Sequence, residues 1–539
     1  MKKQFLYTGL AVMLSMSAMA QDKNAIKFSQ TINKDRGYDH LSILASDEYE
    51  GRETGKKGAW MAAEYIKKQF KSFGLTGPVK GGSDPYFQKV DLVTYDLTQS
   101  SLSINGSAKQ VNKDFLIASA GVDLKGLDIS ANEVVFAGFG ITKDGYNDLD
   151  GINIEGKVVM VIVGADPTVK TTEAPNPRAV MAARQKLMQN IAKNKPKAIL
   201  LVDSDFDKTP EWRKVASANG RPMLKNAATA TLMQRPASLT SITISPSVAN
   251  EILKASNNSI ETLTAKIVES GKPASQIVAV NLNVKAKKQE NLPRAENVLG
   301  FLEGSDPKLK NEVLVVTGHY DHVGLVADPN ATDKVNNGAD DDGSGTTGVL
   351  LLAEAFSKAK KAGKGPKRSI LFMTVVGEEK GLLGSEWYAE NPIFPIANTI
   401  ANLNIDMIGR GDDDRPGDNN FVYIIGSNML SDDLDRIGKK ANTDYVNIVL
   451  DEKYNNRTDP NRFYYRSDHY NFAKFGIPVI FYFNGVHKDY HQPGDEVSKI
   501  DFPMLAKRAQ LVYFTAWELA NGANRPVVNK NEDGTPKTN

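Results

Sequence analysis

Two histidines and three carboxylates, His319, Asp341, Glu379, Asp406 and His491, lie far apart in the chain, yet each sits in a short polar stretch, mostly straight after an apolar run. The stretches are VLVVTGHYDH (313–322), GADDDGSG (338–345), VVGEEKG (375–381), NLNIDMIG (402–409) and KDYHQPGDE (488–496). Two imidazoles with several carboxylates suit zinc or a similar borderline divalent ion, whereas calcium calls for oxygen ligands alone. A bridging carboxylate with two further ligands per ion would hold two metals ~3.5–4 Å apart, the spacing that activates one water for attack. Jointly, the five residues read as the ligand set of a two-metal hydrolase.

Singly, each stretch has a plainer reading. His319 suits a metal, and Asp321 two residues on is placed to accept a hydrogen bond from its other ring nitrogen, but an HxD loop also occurs as solvated charge. Three successive aspartates, 340–342, would repel unless screened, and a helix starting near Ser344 would turn its positive end toward them. They also read as an N-cap in a wet loop. Glu378 and Glu379 end an apolar strand, where neighbouring side chains point different ways. One can then bind metal while the other stays free as a general base; spacing does not say which. Asp406 reads equally as a strand-end cap, and either His487 or His491 qualifies as the last ligand. The histidine distribution sharpens the joint reading: the chain has six, and all but His40 fall between 319 and 491.

These residues need a scaffold that brings strand ends together. After LPRAEN (292–297) the hydrophobic pattern predicts strands at 297–302, 312–318, 368–376, 399–406, 420–426 and 477–483. It predicts helices at 344–361, 381–390, 429–441, 467–475 and 503–520. This alternation argues for an α/β three-layer sandwich with a mostly parallel sheet, and most candidate ligands then fall just beyond strand C-terminal ends, where open α/β sheets build their sites. Upstream, Met61, Ala62, Tyr65, Ile66 and Phe70 recur at helical spacing within 59–73, and Gly74 stops that helix. Residues 93–285 change rhythm to short strand-like runs (LSINGS, EVVFAGFGI, GKVVMVIVG, KAILLVDS, SITISP) with helical stretches near 178–193 and 247–255. This segment has no histidine and reads as a β-rich insertion between an N-terminal part, 21–92, and the rest of the metal-bearing domain, 286–525. The polar run 526–539 is expected to be disordered.

Composition bounds the rest. A chain of 539 residues with 41% hydrophobic and 24% charged residues is long enough for two or three globular domains. Residues 1–20 read as a cleaved export signal: Lys2 and Lys3, an apolar stretch from Leu6 to Met16, then Ala18-Met19-Ala20 before Gln21. That places the mature protein in the periplasm or outside the cell, without stable membrane insertion, because the apolar stretch is short for a bilayer span. Loss of Lys2 and Lys3 takes the formal charge from +2 to zero, leaving no electrostatic footprint for nucleic acid. With no cysteine there is neither a disulfide nor a thiolate metal site. Nothing in the sequence sets the oligomeric state.

The run GHYDHVG … NGADDDGSG … GEEKGLLGS … NIDMIG … SDHYNF … YHQPGDE resembles the M28 family of zinc peptidases. Upstream, LASDEYEGRETGKKG followed by a helix looks like that family's N-terminal segment, and the insertion looks like a protease-associated (PA) domain. The resemblance implies a zinc-aminopeptidase-like fold with two Zn2+ per chain. His319, Asp341 and Asp406 would hold one ion; Asp341, as bridge, would hold the second with Glu379 and His491. Glu378 would be the general base and Asp321 would orient His319. Asp341 is chosen over Asp340 by alignment to the following Ser-Gly, and a cis peptide is implied between Asp341 and Asp342. The expected activity is an exported aminopeptidase acting on peptides.

Other readings keep the scaffold. A carboxypeptidase would need cations facing the substrate carboxylate, with Arg410, Arg462 and Arg466 as candidates. A glutaminyl cyclase usually departs from the full two-metal set, whereas every position is occupied here. A non-catalytic binding protein tends to lose ligands or the base, and both glutamates are present. Tyr464, Tyr465, Arg466 and Asp468 are candidates for shaping a substrate pocket.

Overall fold

The computed structural model describes residues 21–164, 166–169, 177–225 and 239–537. The expected leader, 1–20, lies outside the described residues. The site-bearing sheet has eight strands: β1 (Phe87–Lys89), β2 (Glu296–Leu302), β3 (Val313–His319), β4 (Ser369–Val375), β5 (Thr399–Ile405), β6 (Phe421–Ile425), β7 (Val449–Asp451) and β8 (Val479–Phe483). Their order is β1-β2-β4-β3-β5-β8-β6-β7. The four central strands β4, β3, β5 and β8 run parallel, and antiparallel pairings of β2 with β4 and of β6 with β8 flank them.

Helices cover both faces, which explains why the central strands read as unbroken apolar runs. Leu314 and Val316 of β3 join the core under α1 (Lys23–Ser29), α2 (Lys34–Leu44), α3 (Lys57–Phe73), α4 (Gly345–Lys361), α6 (Asp432–Ala441) and α8 (Phe502–Asn521). Their alternates Val313 and Val315 join a second core with Tyr388 of α5 (Leu383–Glu390) and Phe472 of α7 (His469–Ala473). The period of two thus assigns each apolar residue to one of two cores. Helix α3 ends at Gly74, whose φ of +88° is the left-handed geometry of a glycine cap.

Residues 92–291 supply a separate nine-stranded sheet. Its spine is a pair of long antiparallel strands, Leu92–Ile104 and Gln276–Asn291, so the second of them runs past the expected boundary at 285. Along it Val278, Val280, Leu282, Val284 and Ala286 are buried while their neighbours are mostly exposed, the alternation of a sheet covered on one face. The parallel strands Val158–Val163 and Ala198–Asp203 are buried on both faces.

The C-terminal run, expected to be disordered on its composition, is tied down as far as Lys537. The Asn529 and Lys530 amides both donate to the Leu430 carbonyl at 3.1 and 3.2 Å, and Lys530 pairs with Asp432 at 2.5 Å. Composition reports how little apolar surface a segment can bury, but it carries no record of specific polar partners elsewhere in the chain.

Among the described residues no helix is long and apolar enough to cross a membrane.

Candidate functional site

The parallel strands align their C-terminal ends. His319 is the last residue of β3 and is level with Val375, the last of β4. Thr317 is level with Asn404 of β5, so Asp406 leaves that strand beside His319. Glu378 and Glu379 follow β4, the loop to His491 follows β8, and Asp340–Asp342 immediately precede α4. Close packing of that helix on β5 explains the Gly-Ser-Gly text: a Cβ on Gly345 would stand 2.2 Å from the Ile405 carbonyl oxygen. The Asp341–Asp342 peptide is cis.

All five candidate ligands and Glu378 come together around Asp341. On one side, His319 Nε2 lies 3.3 Å from Asp341 Oδ1, 3.7 Å from Asp406 Oδ1 and 3.9 Å from Glu378 Oε2. On the other, His491 Nε2 lies 3.0 Å from Asp341 Oδ2 and 3.1 Å from Glu379 Oε1. A residue absent from the expected set joins this second side: His322 Nδ1 is 2.9 Å from Glu379 Oε1 and 3.7 Å from Asp341 Oδ2. Two groups, His319–Glu378–Asp406 and His322–Asp341–Glu379, have donor atoms close enough to share an ion.

The donor set fits metal. Asp341 Oδ2, Glu379 Oε1, His322 Nδ1 and His491 Nε2 are buried and none has a hydrogen-bond partner, despite the short separations. Buried polar atoms are almost always paired. Atoms this close but out of line for hydrogen bonds are directed at a common point rather than at one another, as the ligands of a cation are.

Supporting contacts hold the set in place. His319 Nδ1 donates to the Asp321 main-chain carbonyl at 3.1 Å, with the Asp321 carboxylate farther off at 3.7 Å. The orientation expected of that carboxylate is therefore supplied by its backbone, which leaves Nε2 as the ligating nitrogen. The carboxylate instead accepts from Thr54 Oγ1 at 2.5 Å and from the Glu378 amide at 3.2 Å, tying the N-terminal segment to the glutamate loop. Asp342 accepts from the amides of His319, Gly345 and Met407 at 2.8–3.1 Å, joining three site-bearing segments. Beneath Asp406 runs a buried polar chain, Asn402 to Thr317 to Asn404 to Ser467, and Ser467 Oγ donates to Asp406 Oδ2 at 2.6 Å.

The open alternatives are separated spatially. Asp340 points away from Asp341: its Oδ1 accepts from the Gly409 amide at 2.6 Å and Ser344 Oγ at 2.9 Å, and its Oδ2 is 3.3 Å from His487 Nε2. His487 thus faces Asp340, while His491 faces Asp341. Arg52 was not singled out from the sequence. Its buried guanidinium donates to the carbonyls of Leu44, Tyr320, Asn337 and Gly338 at 2.7–2.8 Å, clamping the His319 loop to the aspartate loop. The signal available for it was the EGR of the N-terminal segment, and for His322 the second histidine of HYDH; neither text says what its side chain meets in the fold.

Electrostatics split the adjacent glutamates. Among the side chains alone, burial pushes Glu378 well above the usual carboxylate range; His319 opposes this, and Glu379, Asp406 and Asp468 reinforce it. Burial and Asp341 raise Glu379 too, but the imidazoles of His322 and His491 close beside it outweigh them and lower it. Burial alone would lower His491, yet Asp341 and Glu379 carry it up to about 10.

A cleft opens on the His319 side, lined by Glu378 and Asp406 and walled by Met407, Phe463, Phe481, Phe483, Val486 and Tyr490, with Arg466 at its edge. Of the four residues suggested for a pocket, Arg466 lines it; Tyr464 and Asp468 are buried. Among the other arginines, Arg410 is paired with Asp489 at 3.0 Å, and Arg462 stacks over Tyr465.

Residues 297–516 match the family model for peptidase family M28. A protein named "Probable zinc metalloprotease" from Pyrenophora teres f. teres is 29% identical over 262 residues, 43% of this chain and 52% of that protein. A "Probable leucine aminopeptidase" from Arthroderma otae is 30% identical over 245 residues, 44% of this chain and 61% of that protein. The chain thus spans about half to three-fifths of these relatives' length. Among solved structures, the aminopeptidase from Aneurinibacillus sp. strain AM-1 aligns over 96% of this chain and 100% of its own, with a TM-score of 0.53 at 19% identity. That likeness is one of fold, and it runs over nearly the whole of both chains.

Proposed function

We propose that this chain is an exported, zinc-dependent aminopeptidase that removes N-terminal residues, preferentially apolar ones, from peptides, using two ions held around Asp341. The observation that carries the reading is the convergence of ligand atoms on both oxygens of Asp341, those around Oδ2 buried and without hydrogen-bond partners, beside Glu378 at an apolar cleft. Zinc held there would supply Lewis acidity toward a scissile carbonyl and make an attacking water acidic enough to deprotonate near neutral pH.

The chain's own residues supply the rest. Glu378 takes the proton from the attacking water and delivers it to the leaving amine, a role suited to a carboxylate raised by burial and not engaged by His322 or His491. Met407, Phe463, Phe481 and Phe483 receive an apolar side chain and exclude water around it. Asp341, Asp406 and Glu378 offer negative charge to a free α-amine. The first twenty residues direct export, and the sheet of residues 92–291 serves as a PA-like module.

Arg466 favours one second reading, a carboxypeptidase, because it sets a cation at the cleft where a terminal carboxylate would sit. A panel of aminoacyl-p-nitroanilides, with N-acetylated and chelated controls, separates the two. Cleavage that needs both a free amine and zinc supports the aminopeptidase. Zinc-loaded protein that ignores the panel but trims C-terminal residues supports the alternative.

A further inference from the structure

We propose that His322 is a protein ligand of the ion on the Glu379 side, completing a closed four-donor set with Asp341, Glu379 and His491. This rests on the two-ion reading above and adds a ligand to it. It also assigns unequal duties to the two halves of the centre.

His322 is fully buried, and neither ring nitrogen has a hydrogen-bond partner. A buried imidazole left without a partner is costly, and here Nδ1 is directed into a cluster of ligand atoms. It lies 2.9 Å from Glu379 Oε1 and 3.7 Å from Asp341 Oδ2, the same two oxygens that His491 approaches to 3.1 and 3.0 Å. A tetrahedral zinc with bonds of about 2.0–2.1 Å to nitrogen and oxygen places its ligand atoms roughly 3.4 Å apart, and the donor atoms of His322, Asp341 and Glu379 lie close enough together to share one ion. A simple hydrogen bond from His322 to Glu379 would align the ring N–H with the oxygen, and it does not.

The surroundings are shaped for this ring. Gly338 lies over it at φ +57°, and a Cβ there would stand 2.5 Å from His322 Cδ2. The His322 amide donates to the Arg52 carbonyl at 3.1 Å, fixing the backbone from which the ring projects. His322 and His491 meet edge to face with centroids 5.6 Å apart, so they approach the carboxylates from different directions.

Two imidazoles and two carboxylates saturate a tetrahedral ion, as in structural zinc sites. The other half has one imidazole and two carboxylates, leaving a position toward Glu378 and the cleft. The Glu379 half then anchors its ion and Asp341, and the His319 half presents the exchangeable position.

The test counts zinc per chain against a graded chelator in the parent and in His322→Ala, alongside X-ray absorption of the zinc-loaded parent. We expect the parent to hold two ions and His322→Ala to release one of them at more than ~100-fold lower chelator strength, beyond the ~10–100-fold that loss of an outer-sphere partner costs, with the other unaffected. The absorption spectrum of the parent, which does not depend on the variant folding, should fit three imidazoles over two ions. Two ions held equally well by the variant, or a spectrum fitting two imidazoles, would overturn the assignment of His322 while leaving the two-ion reading intact. A parent that binds one ion or none would overturn both.

Discussion

The two sides of Asp341 are built from the same residue types and yet differ in kind. On the Glu379 side, two imidazoles press on a carboxylate that they hold ionised, and the donor atoms are buried. On the His319 side, a single imidazole meets Asp406, and the neighbouring carboxylate, Glu378, is raised by burial and borders the cleft. Adjacent glutamates on one turn thus experience opposite fields. On the proposed reading, ligand count and access, rather than residue type, would separate a half that holds its ion from a half that reacts.

Removing the shared element should erase the difference. Asp341→Asn is expected to lose both ions and to reduce hydrolysis to background, read by metal analysis and p-nitroanilide release; retention of either ion would show that Asp341 is not the bridge. Next in size, Glu378→Gln should slow turnover by roughly 10²–10⁴-fold, the usual worth of a general base, with parental zinc content. Loss of zinc along with activity would mean that the adjacent glutamates have exchanged roles. Ser467→Ala acts on one half only. With its bond to Asp406 gone, zinc affinity or activity should fall ~10–100-fold, and the chelator titration should move for one ion, not both. The smallest effect belongs to the cleft wall. Phe463→Ala should change the ratio of kcat/KM between leucyl and alanyl substrates by ~10-fold or more while both ions titrate as in the parent; an unchanged ratio would place the side-chain pocket elsewhere.

Much of this was legible in the chain. The strands and helices expected after residue 296 lie within a few residues of those positions, though the edge strand β7 was not expected, because apolar runs of strand length, separated by helical patterns, have few other ways to bury themselves. Five ligand candidates stood out because polar residues directly after such runs must leave the sheet at one edge. What was not legible depended on partners distant in sequence. Arg52 looks like a surface arginine until four carbonyls from three segments close around it, and Asp321 acts on His319 through a carbonyl that no side-chain pattern reports. The tail at 526–537 was misjudged for the same reason, since its order comes from bonds to the Leu430 and Asp432 region.

By itself, then, the sequence determined the layer architecture, the edge at which chemistry gathers and the chemical class of the ligand set, because periodicity and strand-end placement are local properties that any compact fold must respect. Only the tertiary structure decided between Asp340 and Asp341 and between His487 and His491, drew His322 into the cluster, and set Glu378 and Glu379 in opposite fields. Those outcomes depend on separations of a few ångströms between segments as much as 172 residues apart, from His319 to His491, and burial turns such small differences into which atom is paired, which is charged and which is left free to react.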